Sequence, residues 1–212
     1  MTGINNLCKT YLNRNLVLFL CKFMIKTKVG ILKKYKNKYS LYKINRDYNS
    51  SKRVGAACNL SDAKSIGLIY NATNAESFEI VKKFFDDLKE HVDGVWVLGY
   101  IDKKNFNDPE VRPHGFTFYN KKDVNWYNKP IGETAYRFIE KPFDILIDLD
   151  FDNMLAVKYV VVKSAAGFKV GRHEKVMPDF YDLSLTLDND HKNSMSYFIE
   201  QVEVYLNMIK PN

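Results

Sequence analysis

A chain of 212 residues with 46% hydrophobic and 14% aromatic side chains is long enough for one well-filled core and too apolar for wholesale disorder. Its net charge of +7 is unevenly spread: residues 1–60 hold thirteen Lys and Arg against a single acid, Asp47, a local +12, and the remainder holds nineteen basic and twenty-four acidic side chains, a local −5. The three cysteines, Cys8, Cys21 and Cys58, all lie in the basic part without a CxxC pair or Cys/His cluster, which argues against a disulfide framework and a structural zinc site and favours a reducing compartment.

The chain opens on an apolar run, Leu16-Val17-Leu18-Phe19-Leu20-Cys21, that follows Lys9 and Arg14 in the manner of a short signal sequence. Lys22 interrupts it well before the roughly 20 apolar residues of a spanning helix, and no small-residue cleavage site follows. Gly55-Ala56-Ala57-Cys58 resembles a lipoprotein cleavage box but stands far too late, beyond a basic stretch. The expectation is a cytoplasmic protein, at most peripheral to the inner membrane. Met24 is an alternative start, which would leave residues 1–23 as an extension.

Residues 1–60 read as a basic N-terminal arm. Residues 8–25 alternate apolar and basic positions and suit an amphipathic helix. Residues 26–53 carry Lys26, Lys28, Lys33, Lys34, Lys36, Lys38, Lys43, Arg46, Lys52 and Arg53, with Tyr35, Tyr39, Tyr42 and Tyr48 interleaved. Val29, Ile31, Leu32, Tyr35 and Tyr39 follow a helical stripe, which predicts a surface helix with a basic outer face, and Asn49-Ser50-Ser51 reads as a linker.

Residues 61–212 read as one α/β domain of Rossmann-like type, a mostly parallel sheet with flanking helices. Ser65 to Tyr70 is a buried strand, and Thr73-Asn74-Ala75-Glu76 has capping-box spacing with Thr73 as the cap. Phe78, Val81, Phe84, Phe85 and Leu88 stripe the following helix, and Val95 to Ile101 is a second strand. The two strands and their helix form a right-handed parallel βαβ unit. Residues 102–114 form a loop, 115–119 a short strand, 121–130 an irregular aromatic stretch, 131–140 a helix and 143–149 a central strand. Met154 to Ala166 is apolar throughout, so helix and strand are hard to separate there, with helix preferred. Strands at 168–171 and 181–185 and a helix over 192–208 complete the domain.

In such a sheet ligands bind beyond the carboxyl ends of the strands. Those ends carry Asn71-Ala72-Thr73-Asn74, Asp102-Lys103, Asp150-Phe151-Asp152 and Gly171-Arg172-His173. The first could hold an anion on free N–H groups, or Thr73 could simply cap the helix; GxGxxG and a P-loop lysine are both missing. Asp144, Asp148 and Asp150 share strand parity and could serve as metal ligands or acid and base, or could cap the next helix or pair with a basic neighbour. Arg172 and His173 suit a phosphate or carboxylate, or an ordinary surface turn. Trp126-Tyr127 is either a stacking platform for a base or sugar or the anchor of its loop. Neither a Ser/His/Asp nor a Cys/His arrangement can be argued. In the arm, lysines among tyrosines suit phosphate neutralisation with base stacking, or anionic lipid with Leu18, Phe19, Phe23 and Ile25 as the apolar face, or a solvated tail.

The stretches Lys64 to Ile69, Val97 to Asp102, Lys122 to Trp126, Lys141 to Leu149, Phe168 to Arg172 and Asp179 to Asp182 carry a resemblance to an uncharacterised family of Bacteroidota proteins with a domain of unknown function. That resemblance implies a bacterial cytoplasmic protein with a basic N-terminal segment and implies no activity. From Phe143 to Leu185 the chain is also similar to the N-terminal half of heptosyltransferase-like glycosyltransferases, which use two Rossmann-like domains with the donor site mainly in the second.

The leading expectation is a non-catalytic binding protein whose basic arm docks on RNA or the ribosome. Peripheral attachment to an anionic membrane through the same arm is one alternative. The other is a small-molecule enzyme or degenerate glycosyltransferase-like domain with a crevice lined by Asn71, Thr73, Asp102, Trp126, Asp148, Asp150 and Arg172. No catalytic residue, metal or cofactor is assigned.

Overall fold

The computed structural model describes residues 30–50, 55–104, 113–174 and 178–210. Helix α1 spans residues 30–49. It is followed by β1 (Ser65–Asn71), α2 (Ala75–Lys89), β2 (Gly94–Ile101), β3 (Phe116–Asn120), α3 (Glu133–Glu140), β4 (Ile145–Asp148), α4 (Leu155–Lys163), β5 (Phe168–Arg172), β6 (Leu183–Leu185) and α5 (Met195–Met208). The chain divides into two units within α1, Met1–Tyr39 and Ser40–Asn212.

All six strands pair in parallel in the order β3-β2-β1-β4-β5-β6. This is the doubly wound Rossmann order, and the direction of winding reverses between β1 and β4. In register, Ile66 stands beside Val95 on one side and Ile145 on the other. Parallel strands covered on both faces must be apolar on both faces. Accordingly β1 is buried from Ile66 to Tyr70 and β4 is buried throughout. Val81, Phe84, Phe85 and Leu88 of α2 and Phe198, Val202 and Leu206 of α5 pack on Leu68 and Ile147. Phe138 of α3 and Val157, Val160 and Val161 of α4 pack with Ile69, Leu98 and Leu146.

Two details depart from the sequence reading. The cap of α2 is Asn74, whose side chain accepts the Glu76 N–H, while Thr73 turns back to bond Asn71 and Asp102. The expected stripe of α1 is not its packed side: Ile31, Leu32 and Tyr35 are 55–68% exposed, whereas Ser40 and Ile44 are fully buried. Spacing of three or four residues puts Ser40, Ile44 and Asp47 on one side of the helix. Ile44 packs with Tyr159, Val162 and Phe180, Tyr48 meets Phe180 edge-on at 5.3 Å, and Asp47 pairs with Lys163 at 3.2 Å.

That packing accounts for the ambiguous apolar stretch. The helix α4 lies against the sheet on one side and under residues 40–48 of α1 on the other, so every residue from Ala156 to Val162 is buried. A helix covered all round loses the amphipathic period that would identify it. Among the described residues no helix is long and apolar enough to cross a membrane.

If the second half of α1 belongs to the folded body, Ile44→Ala should cost about 2–4 kcal/mol, the usual loss for emptying a well-packed aliphatic site. Tyr42→Ala, on the exposed side, should change stability by less than about 0.5 kcal/mol. Urea unfolding of both variants makes the comparison.

Candidate functional site

At the reversal point the loops after β1, β2 and β4 meet. The Asn71 side chain accepts from the Thr73 N–H and hydroxyl at 3.1 and 2.6 Å and donates to Asp152 at 2.6 Å. The Thr73 hydroxyl in turn accepts the Asp102 N–H at 2.9 Å, and Asp102 takes the Tyr100 hydroxyl at 3.1 Å and the Lys121 ammonium at 2.8 Å. The structure thus brings Asn71, Thr73 and Asp102 together as expected for strand tips. Their polar groups bond one another and lace the three loops together.

Asp148 and Asp150 lie deeper and are both buried. One Asp148 oxygen accepts the Asp150 N–H at 2.9 Å. The other receives the Lys158 ammonium at 2.7 Å and the Tyr181 hydroxyl at 2.6 Å, and Lys158 also donates to Tyr181 at 2.9 Å. Asp150 accepts the N–H groups of Asp152 and Met154 at 3.0 and 2.6 Å, so it orders the turn into α4. Burial raises the Asp150 carboxyl to about 6, against the opposing pull of Lys158 at 3.9 Å. Burial alone would lower Lys158, but Asp148, Tyr181 and Asp150 together outweigh it and push the ammonium above its ordinary range. Tyr181 is raised by burial and by Asp148. A lysine held as a cation and a tyrosine held as a phenol are poorly placed to act as base or nucleophile near neutrality. Asp144 stands at the opposite end of its strand, where it accepts from the Lys64 and Ser65 N–H groups at 2.9 and 2.8 Å. Among the described residues no group of three His, Cys, Asp or Glu side chains is placed to hold a metal ion.

Arg172 sits at the end of β5, largely buried. Its guanidinium donates to the carbonyls of Phe151 and Lys192, both at 3.0 Å, pairs with Glu174 at 2.6 Å and lies 4.3 Å over the Phe151 ring. A cavity of about 430 Å³ beside it is bounded by Asn153, His173, Thr186 and Lys192.

Trp126 lies in the loop that follows β3. The tip 125–129 is a closed turn: the Asn125 side chain accepts from the N–H groups of Tyr127 and Lys129, Asn128 takes a left-handed φ of 66°, and Val124 bridges Pro130. The loop is also tied to α1, since the Ser40 hydroxyl donates to the Tyr127 carbonyl and accepts from the Asn128 amide. Tyr127 packs on Tyr159 with ring centroids 6.2 Å apart. Tyr127 therefore anchors the loop, and its neighbour Trp126 is left 63% exposed.

Of the basic residues expected to meet a polyanion, Lys33, Lys34, Lys38 and Arg46 are exposed on α1. Lys36 and Lys43 are half-buried, and both have partners within the protein. Lys26, Lys28, Lys52 and Arg53 lie outside the described residues, as does the 16–25 segment considered for lipid. The sequence reading missed Lys158 and Tyr181. The one available signal was Lys158 itself, a lone charge in the middle of Leu155 to Val162.

Fold and strand-tip geometry define a six-stranded parallel α/β domain of doubly wound order. The chain belongs to a family of unknown function, DUF6913, whose model matches residues 33–209. No curated protein matches it.

Lys158→Met should cost about 3–5 kcal/mol, because it strands the Asp148 charge in the core. The double change Lys158→Met/Asp148→Asn should recover part of that loss in thermal or urea unfolding. Asp150 adds a pH dependence. Burial raises its pKa in the folded state above the ordinary carboxyl range, so its contribution is fully present below about 4 and is lost as pH rises through about 6. Relative to Asp150→Asn, the native protein should lose stability between pH 4 and 6.5, as read by parallel melting curves.

Proposed function

We propose that this is a non-catalytic cytoplasmic binding protein that docks on RNA through helix α1. The observation that carries the reading is the exposed side of that helix. In residues 30–39, Lys33, Lys34 and Lys38 are exposed, as is Tyr35 at 68%; in residues 40–49, Arg46 is exposed, as is Tyr42 at 61%. Over residues 30–49 six basic side chains face one acid. Lysines neutralise phosphates and release counterions, and tyrosines among them give bases a surface on which to stack. Residues 40–48 are held by burial of Ser40 and Ile44, so this part of the helix is ordered before any ligand arrives. A chain whose remainder carries −5 gains little from a further +12 for solubility alone, which favours a polyanionic partner over a merely solubilising role.

An anionic membrane surface is the second reading. It is favoured by Ile31 and Leu32, 55% and 68% exposed beside Lys33 and Lys34. RNA is preferred because the most exposed aromatic residues of the helix, Tyr35 and Tyr42, each stand beside a lysine in the sequence.

The test is binding of the full chain to a labelled oligouridine across a salt series. A change of Lys33, Lys34 and Lys38 to Glu should weaken binding at every salt and reduce the log–log salt slope by about 2, at roughly 0.7 per phosphate contact on a single strand. Binding that is indifferent to salt, or unaltered by the triple change, would refute the reading. Flotation on vesicles containing phosphatidylglycerol without RNA binding would transfer it to the membrane.

A further inference from the structure

We propose that the cavity beside Arg172 is a binding site for a small phosphate monoester that carries hydroxyl groups. Nothing in it involves helix α1, so it stands or falls apart from the RNA reading. At the reversal of winding, Asn71, Thr73 and Asp102 spend their polar groups on one another. Further along the same carboxyl edge a cavity of about 430 Å³ opens among residues that follow β4, β5 and β6. That is the edge at which ligands of a doubly wound sheet bind.

Two residues of the cavity wall each bury a polar atom that has no partner among the described residues. One is a donor, the Arg172 Nε, and the other an acceptor, the Asn153 Oδ1. An unmet buried donor or acceptor costs stability, so a pair of opposite kind on one wall calls for a ligand that offers an acceptor to the first and a donor to the second. A hydroxylated anion has both. Asn153 is held in place by the turn into α4, with a left-handed φ of 53°.

Phosphate is chosen over carboxylate by the bonds Arg172 already makes. Nη1 donates to the Lys192 carbonyl, and Nη2 donates to the Phe151 carbonyl and pairs with Glu174 at 2.6 Å. A flat carboxylate is taken best by two parallel N–H bonds, and both forks of a guanidinium include the engaged Nη2. A tetrahedral phosphate accepts single bonds from separate donors. Nε and the exposed Lys192 ammonium, a point charge on the same wall, are such donors. With Arg172 paired to Glu174 and His173 turned to Asp179 at 3.5 Å, Lys192 is the unbalanced charge of the cavity. The volume stands at the small end of the range for ligand pockets, roughly 300–1,000 Å³, which suits one sugar with one phosphate and not a dinucleotide.

The experiment is calorimetric titration of the full chain with ribose 5-phosphate, inorganic phosphate, ribose and succinate. Ribose 5-phosphate should bind and raise the melting temperature, inorganic phosphate should bind about tenfold more weakly, and ribose and succinate should give no measurable heat. Lys192→Ala and Asn153→Asp should each weaken ribose 5-phosphate about tenfold or more. The Lys192 side chain is exposed, so Lys192→Ala should melt with the native protein, which separates lost binding from lost folding. Absence of ribose 5-phosphate binding, or binding unaltered by Lys192→Ala, would overturn the site. Succinate bound as tightly as ribose 5-phosphate would overturn the choice of phosphate, and inorganic phosphate bound as tightly would overturn the monoester. The Glu changes at Lys33, Lys34 and Lys38 should leave ribose 5-phosphate binding unchanged, so failure of the RNA reading and failure of this site are read separately.

Discussion

A charged amine deep in the protein has to be matched by acceptors, or the fold that buries it is not stable. Lys158 imposes that constraint here. It sits on α4 with its ammonium out of water, and it reaches Asp148 at the end of β4 and Tyr181 just before β6. Three segments far apart in sequence are thereby fixed to a single point. The constraint propagates: the second oxygen of Asp148 holds the Asp150 backbone, and Asp150 holds the two N–H groups that open α4. Of the two readings open for the strand-tip carboxylates, the structure shows pairing with a basic neighbour for Asp148 and capping of the turn into α4 for Asp150.

The same helix explains why α1 cannot be treated as an appendage throughout its length. With its inner side on the sheet, α4 still presents Tyr159 and Val162 outward, and water would meet them if α1 were absent. Ile44 and the Tyr48 ring cover this surface together with Phe180, and the family match begins at residue 33, inside α1. The basic helix therefore has a structural side and an open side. Burial of the first sets the orientation of residues 40–48, and with it which of their side chains face solvent.

What the sequence could convey followed from periodicity, and what it could not followed from long-range pairing. Leu68, Val97 and Ile147 sit in runs whose apolar character demands burial on both faces, so the mostly parallel sheet with flanking helices was legible. Met154 to Ala166 was not fully legible because α1 erases the polar face that would have shown a helical period. Thr73 and Asn74 are both good caps, and only the contact with Asp102, 29 residues on, decides that Thr73 turns away. Asn71, Thr73 and Asp102 meet at the strand tips, where topology places them. That they bond one another depends on rotamers no local pattern encodes. In α1 the helix was legible and its buried side was not. Ser40 is polar and Ile44 stands among lysines and tyrosines, so the stripe of Ile31, Leu32, Tyr35 and Tyr39 looked more apolar than the side that packs.

The packing also decides where the one acid of α1 is placed. Asp47 is the one acid in the first sixty residues, and on an isolated helix it would offset part of the lysine field. Packing removes it from the open side: its carboxylate is only 14% exposed and lies 3.2 Å from Lys163 and 3.5 Å from Arg46. A carboxylate already paired with a lysine of the body contributes little repulsion toward a phosphate approaching from solvent. Docking of residues 40–48 on α4 thus closes the core over Tyr159 and at the same time takes the Asp47 carboxylate out of solvent. A free amphipathic tail of the same composition would share the net charge but not this separation of sign, and separation of sign is what steers a polyanion to one face of a protein.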